Sequence, residues 1–193
     1  PLRPKLAPQL PLCDPLPGPT ACTSTGGMTI LGPHLYLALE QPQGLIITKV
    51  LIGEDLAGNA SVVVNHQPLE GVKAGSSVTA MGDDGLTGAI FVAAHTPGEP
   101  SILYKLNTTT LQPYGVVRMQ SRGPFQEMVQ GITVDPLLRR LYVLSAIGNQ
   151  PMLITLLLYA VTSITPPLAD TVGGTLIHVT GEGMTDSPNL RCH

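Results

Sequence analysis

A chain of 193 residues that is 43% hydrophobic is long enough to bury a core, so it is not a disordered polymer. Its net charge of −3, with no run of Lys or Arg, removes the electrostatic basis for binding nucleic acid. Charged residues are only 12% of the chain, while Gly (21) and Pro (19) are abundant, a balance that starves long amphipathic helices and favours an all-β fold.

Residues 1–24 open with Pro1, Pro4, Pro8, Pro11, Pro15, Pro17 and Pro19. Proline donates no ladder hydrogen bond and fixes φ, so this segment is expected to be extended and polyproline-like, a stiff linker or an arm across a neighbour. Neither an initiator Met nor a leader pattern precedes it, and a processed or partial chain is expected. Cys13 and Cys22 bracket a loop short enough to close as a disulfide, which leaves Cys192 over.

Residues 25–162 carry a recurring set of short strands. The first set is Gly27–Ile30, His34–Ala38, Gly44–Val50 and Ser61–Val64; the second is Ser77–Met81, Ala89–Ala93, Ser101–Leu106 and Gly115–Met119. The third is Gly131–Asp135, Arg140–Leu144 and Met152–Val161. The last run is about half of the ~20 residues that a membrane-spanning helix needs, and it reads as a buried strand. Aligning Thr29, Thr79 and Thr133 gives steps of 50 and 54 residues, and Tyr36, Phe91 and Tyr142 step by 55 and 51. Four short strands at a period of about 50 are expected to form propeller-like blades, with an evenly spaced β-sandwich as the alternative. The stretch Gly131-Ile132-Thr133-Val134-Asp135-Pro136, continuing to Arg140-Leu141-Tyr142-Val143, resembles the first two strands of NHL- or YWTD-like blades. Three blades fall short of the roughly four to eight of a closed ring, so the remainder is expected from elsewhere.

Two sequons, Asn59-Ala60-Ser61 and Asn107-Thr108-Thr109, fall in predicted turns and would accept N-glycans on a secreted chain. Residues 163–193 hold a Pro166-Pro167 bend, a Gly173-Gly174 turn, an alternating strand and Gly181-Glu182-Gly183. In that order they resemble the opening of an IPT/TIG domain, the immunoglobulin-like fold of plexins, Met-type receptors and large multi-TIG surface proteins. The resemblance implies the first strands of a β-sandwich and an extracellular adhesive or structural role. It also implies that Cys192, which matches a Cys after the second TIG strand, pairs beyond His193. Plexins place a Cys-rich module between propeller and TIG domain; here Val161-Thr162-Ser163-Ile164 runs straight on, which suits a multi-TIG surface or ciliary component better.

Catalytic patterns are not found. The chain has no Gly-x-Ser-x-Gly elbow and no phosphate loop, and Gly181-Glu182-Gly183 lacks the third glycine of a dinucleotide fingerprint. His34, His66, His95, His178 and His193 stand singly, without metal-ligand spacing. Asp83-Asp84-Gly85 offers two carboxylates for Ca²⁺ but reads more simply as a turn, and Glu54-Asp55 and Glu127 make no better constellation. The expectation is therefore a non-enzymatic extracellular or cell-surface protein with no cofactor and no metal site. Its partners would be other protein chains, itself included, with a membrane met only through an anchor outside the chain. A receptor ectodomain and a propeller enzyme with a central-channel metal are the alternatives.

Overall fold

The computed structural model describes residues 24–52, 62–122, 125–168 and 170–182. Most of the Pro-rich segment, Cys13, Cys22, Cys192, His193, Asn59, Glu54 and Asp55 lie outside the described residues.

Alternation of apolar and polar residues, broken by Gly and Pro, produces three four-stranded antiparallel meanders. Sheet one is β1 (Ser24–Leu31), β2 (His34–Gln41), β3 (Gly44–Leu51) and β4 (Val62–Pro68). Sheet two is β5 (Ser77–Asp84), β6 (Ala89–His95), β7 (Ile102–Asn107) and β8 (Pro113–Arg118). Sheet three lies in the order β12 (Gln150–Leu157), β11 (Arg140–Ile147), β10 (Phe125–Asp135), β9 (Ser121–Arg122). Its fourth strand therefore precedes the long β10 in sequence instead of following β12. The all-β expectation and the four-strand unit hold.

The predicted single strand Met152–Val161 is two. The N–H of Leu158 bonds the carbonyl of Arg139 at 2.9 Å and closes the ladder behind β12, after which β13 (Ala160–Thr165) pairs with β14 (His178–Glu182) in a sheet of its own. The expected boundary between residues 162 and 163 falls inside β13. The described tail is one hairpin, short of the two packed sheets of an immunoglobulin-like sandwich.

The sheets stack face to face, with β5 packed between β1 and β10. One core layer lies between sheets one and two and includes Tyr36, Ala38, Ile47, Ile90, Val92 and Leu106. A second lies between sheets two and three and includes Phe91, Ala93, Leu103, Val129, Leu141 and Val143. Because side chains alternate along each strand, every sheet has a forward face toward the next sheet and a backward face toward the previous one.

Each first strand carries a β-bulge at the same place, five residues before its hairpin turn: at Gly26, Thr79 and Gln130. A bulge leaves backbone groups unpaired and increases local twist. The neighbouring sheet supplies partners. The N–H of Val78, just before the second bulge, donates to Glu40 Oε1 of sheet one at 3.1 Å. The N–H of Val129, just before the third, donates to Ser101 Oγ, beside β7, at 3.2 Å. The bulge also corrects the threonine alignment. Thr29 and Thr133 pair with the aromatics Tyr36 and Tyr142, but the residue opposite Phe91 is Gly82, whereas Thr79 is the bulged residue.

Candidate functional site

The predicted site residues do not converge. Asn107 stands exposed in the β7–β8 turn, where its Oδ1 accepts the N–H groups of Thr109 (2.8 Å) and Thr110 (3.1 Å) and the hydroxyl of Thr108 donates to the carbonyl of Gly88 (2.7 Å). That turn presents the side chain of the sequon to solvent. His34, His66, His95 and His178 are spread over β2, β4, β6 and β14, and among the described residues no three His, Cys, Asp or Glu side chains gather as a metal site.

Asp83 and Asp84 are adjacent in sequence but face opposite neighbours, as the pleat requires. Asp83 accepts the hydroxyl of Thr29 in sheet one at 2.8 Å. Asp84 is fully buried and accepts Arg139 Nη1 of sheet three (2.8 Å), the Thr87 hydroxyl (2.5 Å) and the N–H of Leu86 (3.2 Å). The two carboxylates thus join the three sheets at one end of the stack. Burial by itself would raise the Asp84 pKa, but the hydrogen bonds from Arg139 and Thr87 and the charge of Arg139 outweigh it and hold the carboxyl below its ordinary value. Arg139 takes the positive-φ place (50°) that Gly88 (64°) fills in the sheet-two turn, and two of its guanidinium nitrogens are buried without a partner among the described residues.

Glu127, also buried, accepts the hydroxyl of Ser145 (2.6 Å) and the N–H of Gln120 (3.1 Å), so it ties the β8–β9 link to β11. Gly181 and Glu182 close β14, and Gly183 lies outside the described residues.

What remains open is apolar. The ladder registers make three cross-strand sets equivalent. Gly27, Ala38 and Ile47 of sheet one correspond to Ala80, Ala93 and Leu103 of sheet two and to Gly131, Leu144 and Leu153 of sheet three. The next rung gives Tyr36, Phe91 and Tyr142. In sheets one and two these forward faces are covered, with Ala38, Ile47 and Ala93 at 0% and Leu103 at 3% exposure. In sheet three Leu144 is 44% and Leu153 69% exposed. The third forward face is built like the other two, and among the described residues it stays open at Leu144 and Leu153.

A second apolar feature lies between sheets two and three, which part at their outer strands. Two adjoining clefts of about 390 and 340 Å³ are lined by Leu103 and Val117 on one side and Ile154, Leu156 and Leu158 on the other. Sequence reading missed both features. The pairing of faces depends on register and on bulges, and only the aromatic spacing at Tyr36, Phe91 and Tyr142 signalled it.

No family model matches the chain, and no curated protein matches it. Among solved structures, the Cps50 (Swd1) β-propeller domain of Myceliophteria thermophila is similar over 72% of this chain, with 13% identity and a TM-score of 0.39. The chain spans 42% of that domain's length.

Proposed function

We propose that this chain is a non-enzymatic extracellular or cell-surface module whose work is protein–protein assembly, built as propeller-like blades that lead into the first strands of an IPT/TIG domain. The open forward face of sheet three carries the reading. A contiguous apolar sheet face with Leu144 and Leu153 in water is costly for a free monomer and is the common mark of a surface that meets another protein. The exposed sequon at Asn107 supports the extracellular part. The Gly173-Gly174 turn, with φ of 89° and 81°, followed by the strand His178–Glu182, suits the TIG-like part.

The chain secreted from eukaryotic cells tests both halves. Replacing Leu144 and Leu153 together by Asp is expected to abolish its recovery in a larger assembly while the circular dichroism stays that of a β-protein; an assembly unchanged by the pair would refute the role of this face. Removal of N-glycans is expected to shift the electrophoretic mobility, with part of the shift absent in Asn107→Gln. A chain with no glycan at Asn107 contradicts the extracellular reading.

A further inference from the structure

We infer that the Pro-rich residues 1–23 fold back across the backward face of sheet one of their own chain and cap that end of the stack. This goes beyond the reading of sheet three as an assembly surface and does not depend on it.

The argument starts from a face that is buried although no described element lies on it. Tyr36, Ala38, Leu45 and Ile47 point forward into the layer shared with sheet two, so alternation turns Leu37, Leu39, Ile46, Thr48 and Val50 backward. Leu39 and Thr48 are 0% and Val50 is 1% exposed, as deeply buried as the forward side chains. None of these backward residues belongs to the core layer between sheets one and two. The principal contacts of sheet one with other described elements, β1 and β2 against β5, lie on its forward side. Side chains on a bare sheet face do not reach such burial, so a further piece of chain lies over β2 and β3. Met28 and Ile30, which face backward on β1, stay 68% and 59% exposed, and the cover therefore leaves that part of β1 free.

Two polar atoms on the same face narrow its chemistry. Gln41 continues the backward row of β2, and His66 of β4 stands opposite Thr48. Nε2 of each is buried without a partner among the described residues. The amide nitrogen of Gln41 is a donor, and with the Thr48 hydroxyl donating to His66 Nδ1 at 2.9 Å, the imidazole Nε2 is a donor too. The face thus asks for apolar side chains and carbonyl acceptors. A Pro-rich strand supplies both: each proline keeps its carbonyl and has no N–H to leave unpaired when the chain lies flat on a sheet.

Position and length select the segment. Residues 53–61 join β3 to β4 at the Leu51–Val62 end, away from Leu39 and Ile46, and carry Leu56 with the acids Glu54 and Asp55. Residues 183–193 continue from β14, which follows sheet three, beyond sheet two. Residues 1–23 enter β1 at Ser24, opposite Glu40, at the end of the sheet where Leu39 and Ile46 lie, and they bring Leu2, Leu6, Leu10, Leu12 and Leu16. Extended at about 3.1 Å per residue they reach roughly 70 Å, several times the ~14 Å across four strands. In stacked repeats the terminal unit shields its outer face. Here the arm gives sheet one that shield and closes its back to other chains.

Methyl NOE spectra of the full chain, labelled at Leu, Ile and Val, test this. Cross-peaks from the leucines of residues 1–23 to Leu37, Leu39 or Ile46 are expected, and they are expected to be absent from an isotope-filtered spectrum of mixed labelled and unlabelled chains. Filtered cross-peaks overturn the capping by the chain's own arm in favour of an arm exchanged between copies. Cross-peaks to this face from Leu56 or Leu190 in place of the arm leucines overturn the choice of segment, and a face with none from the arm overturns the inference. In hydroxyl-radical footprinting, the combined variant Leu6→Asp, Leu10→Asp and Leu12→Asp is expected to raise the reactivity of Leu39 at least fivefold while Ile47 and Ile90 on the forward side stay protected. A Leu39 that stays protected contradicts the cap. A general rise that includes Ile47 reports unfolding, and the NOE pattern of the wild type then decides.

Discussion

Asp84 and Arg139 bear most of the electrostatic burden at the end of the stack. Removing one partner of a buried pair leaves the other charged and unpaired, at a cost of about 3–5 kcal/mol. Arg139→Ala is therefore expected to lower unfolding free energy by about that amount in urea titration, and by far more than Lys73→Ala, whose exposed pair with Glu99 is of a kind worth ~1 kcal/mol or less. The pH dependence has a definite sign. The folded carboxyl of Asp84 sits below its ordinary value of 3.8, so its contribution is complete above that pH and is lost as pH falls through the lower folded value. Below pH 3.8 wild-type stability is expected to drop along a segment that Asp84→Asn lacks; equal slopes for the two would contradict the pairing. Burial likewise lowers the pKa of His66, whose Nδ1 lies 2.9 Å from the Thr48 hydroxyl. Its contribution is complete above the ordinary value of 6.5 and fades as pH falls through the lower folded value. In sequence, Asp83-Asp84-Gly85 marked a turn; Asp83 and Asp84 end β5, and the turn itself begins at Gly85. The Arg139 partner of Asp84 was not legible, since the two residues are 55 positions apart and meet only once sheets two and three stack.

The strands were largely legible because alternation and Gly/Pro punctuation are local signals. Where reading failed, the cause was not local. The bulge at Thr79 shifts the pattern by one residue without leaving a composition cue, and the closure of β12 behind Leu157 depends on a hydrogen bond to Arg139 in another turn. The glycines of the first strands give an element-scale test. Gly82→Ala drives a Cβ to 3.0 Å from Ile132 and is expected to cost about 1–3 kcal/mol as overpacking between sheets. Gly131→Ala, with nothing nearer than Leu144 at 3.7 Å, is expected to leave monomer stability nearly unchanged while weakening any association through that face. Equal effects of the two on monomer stability, measured by chemical denaturation, would contradict the close packing of Ile132 on Gly82.

Taken together, the described residues hold a row of three four-stranded sheets with two interfaces between them and an open forward face on the third, followed by the β13–β14 hairpin. The repeat was visible in the spacing of Tyr36, Phe91 and Tyr142. The direction of stacking was not, because it depends on which face each strand turns to its neighbour. Hydroxyl-radical footprinting across a concentration series measures this most directly. Phe91 and Leu103 are expected to be protected at every concentration, whereas Tyr142, Leu144 and Leu153 are expected to react in dilute protein and become protected as it assembles. Reactivity of Phe91 and Leu103 equal to that of Leu153 would contradict the stacked sheets, and a Leu153 that never becomes protected would contradict the face as a site of assembly.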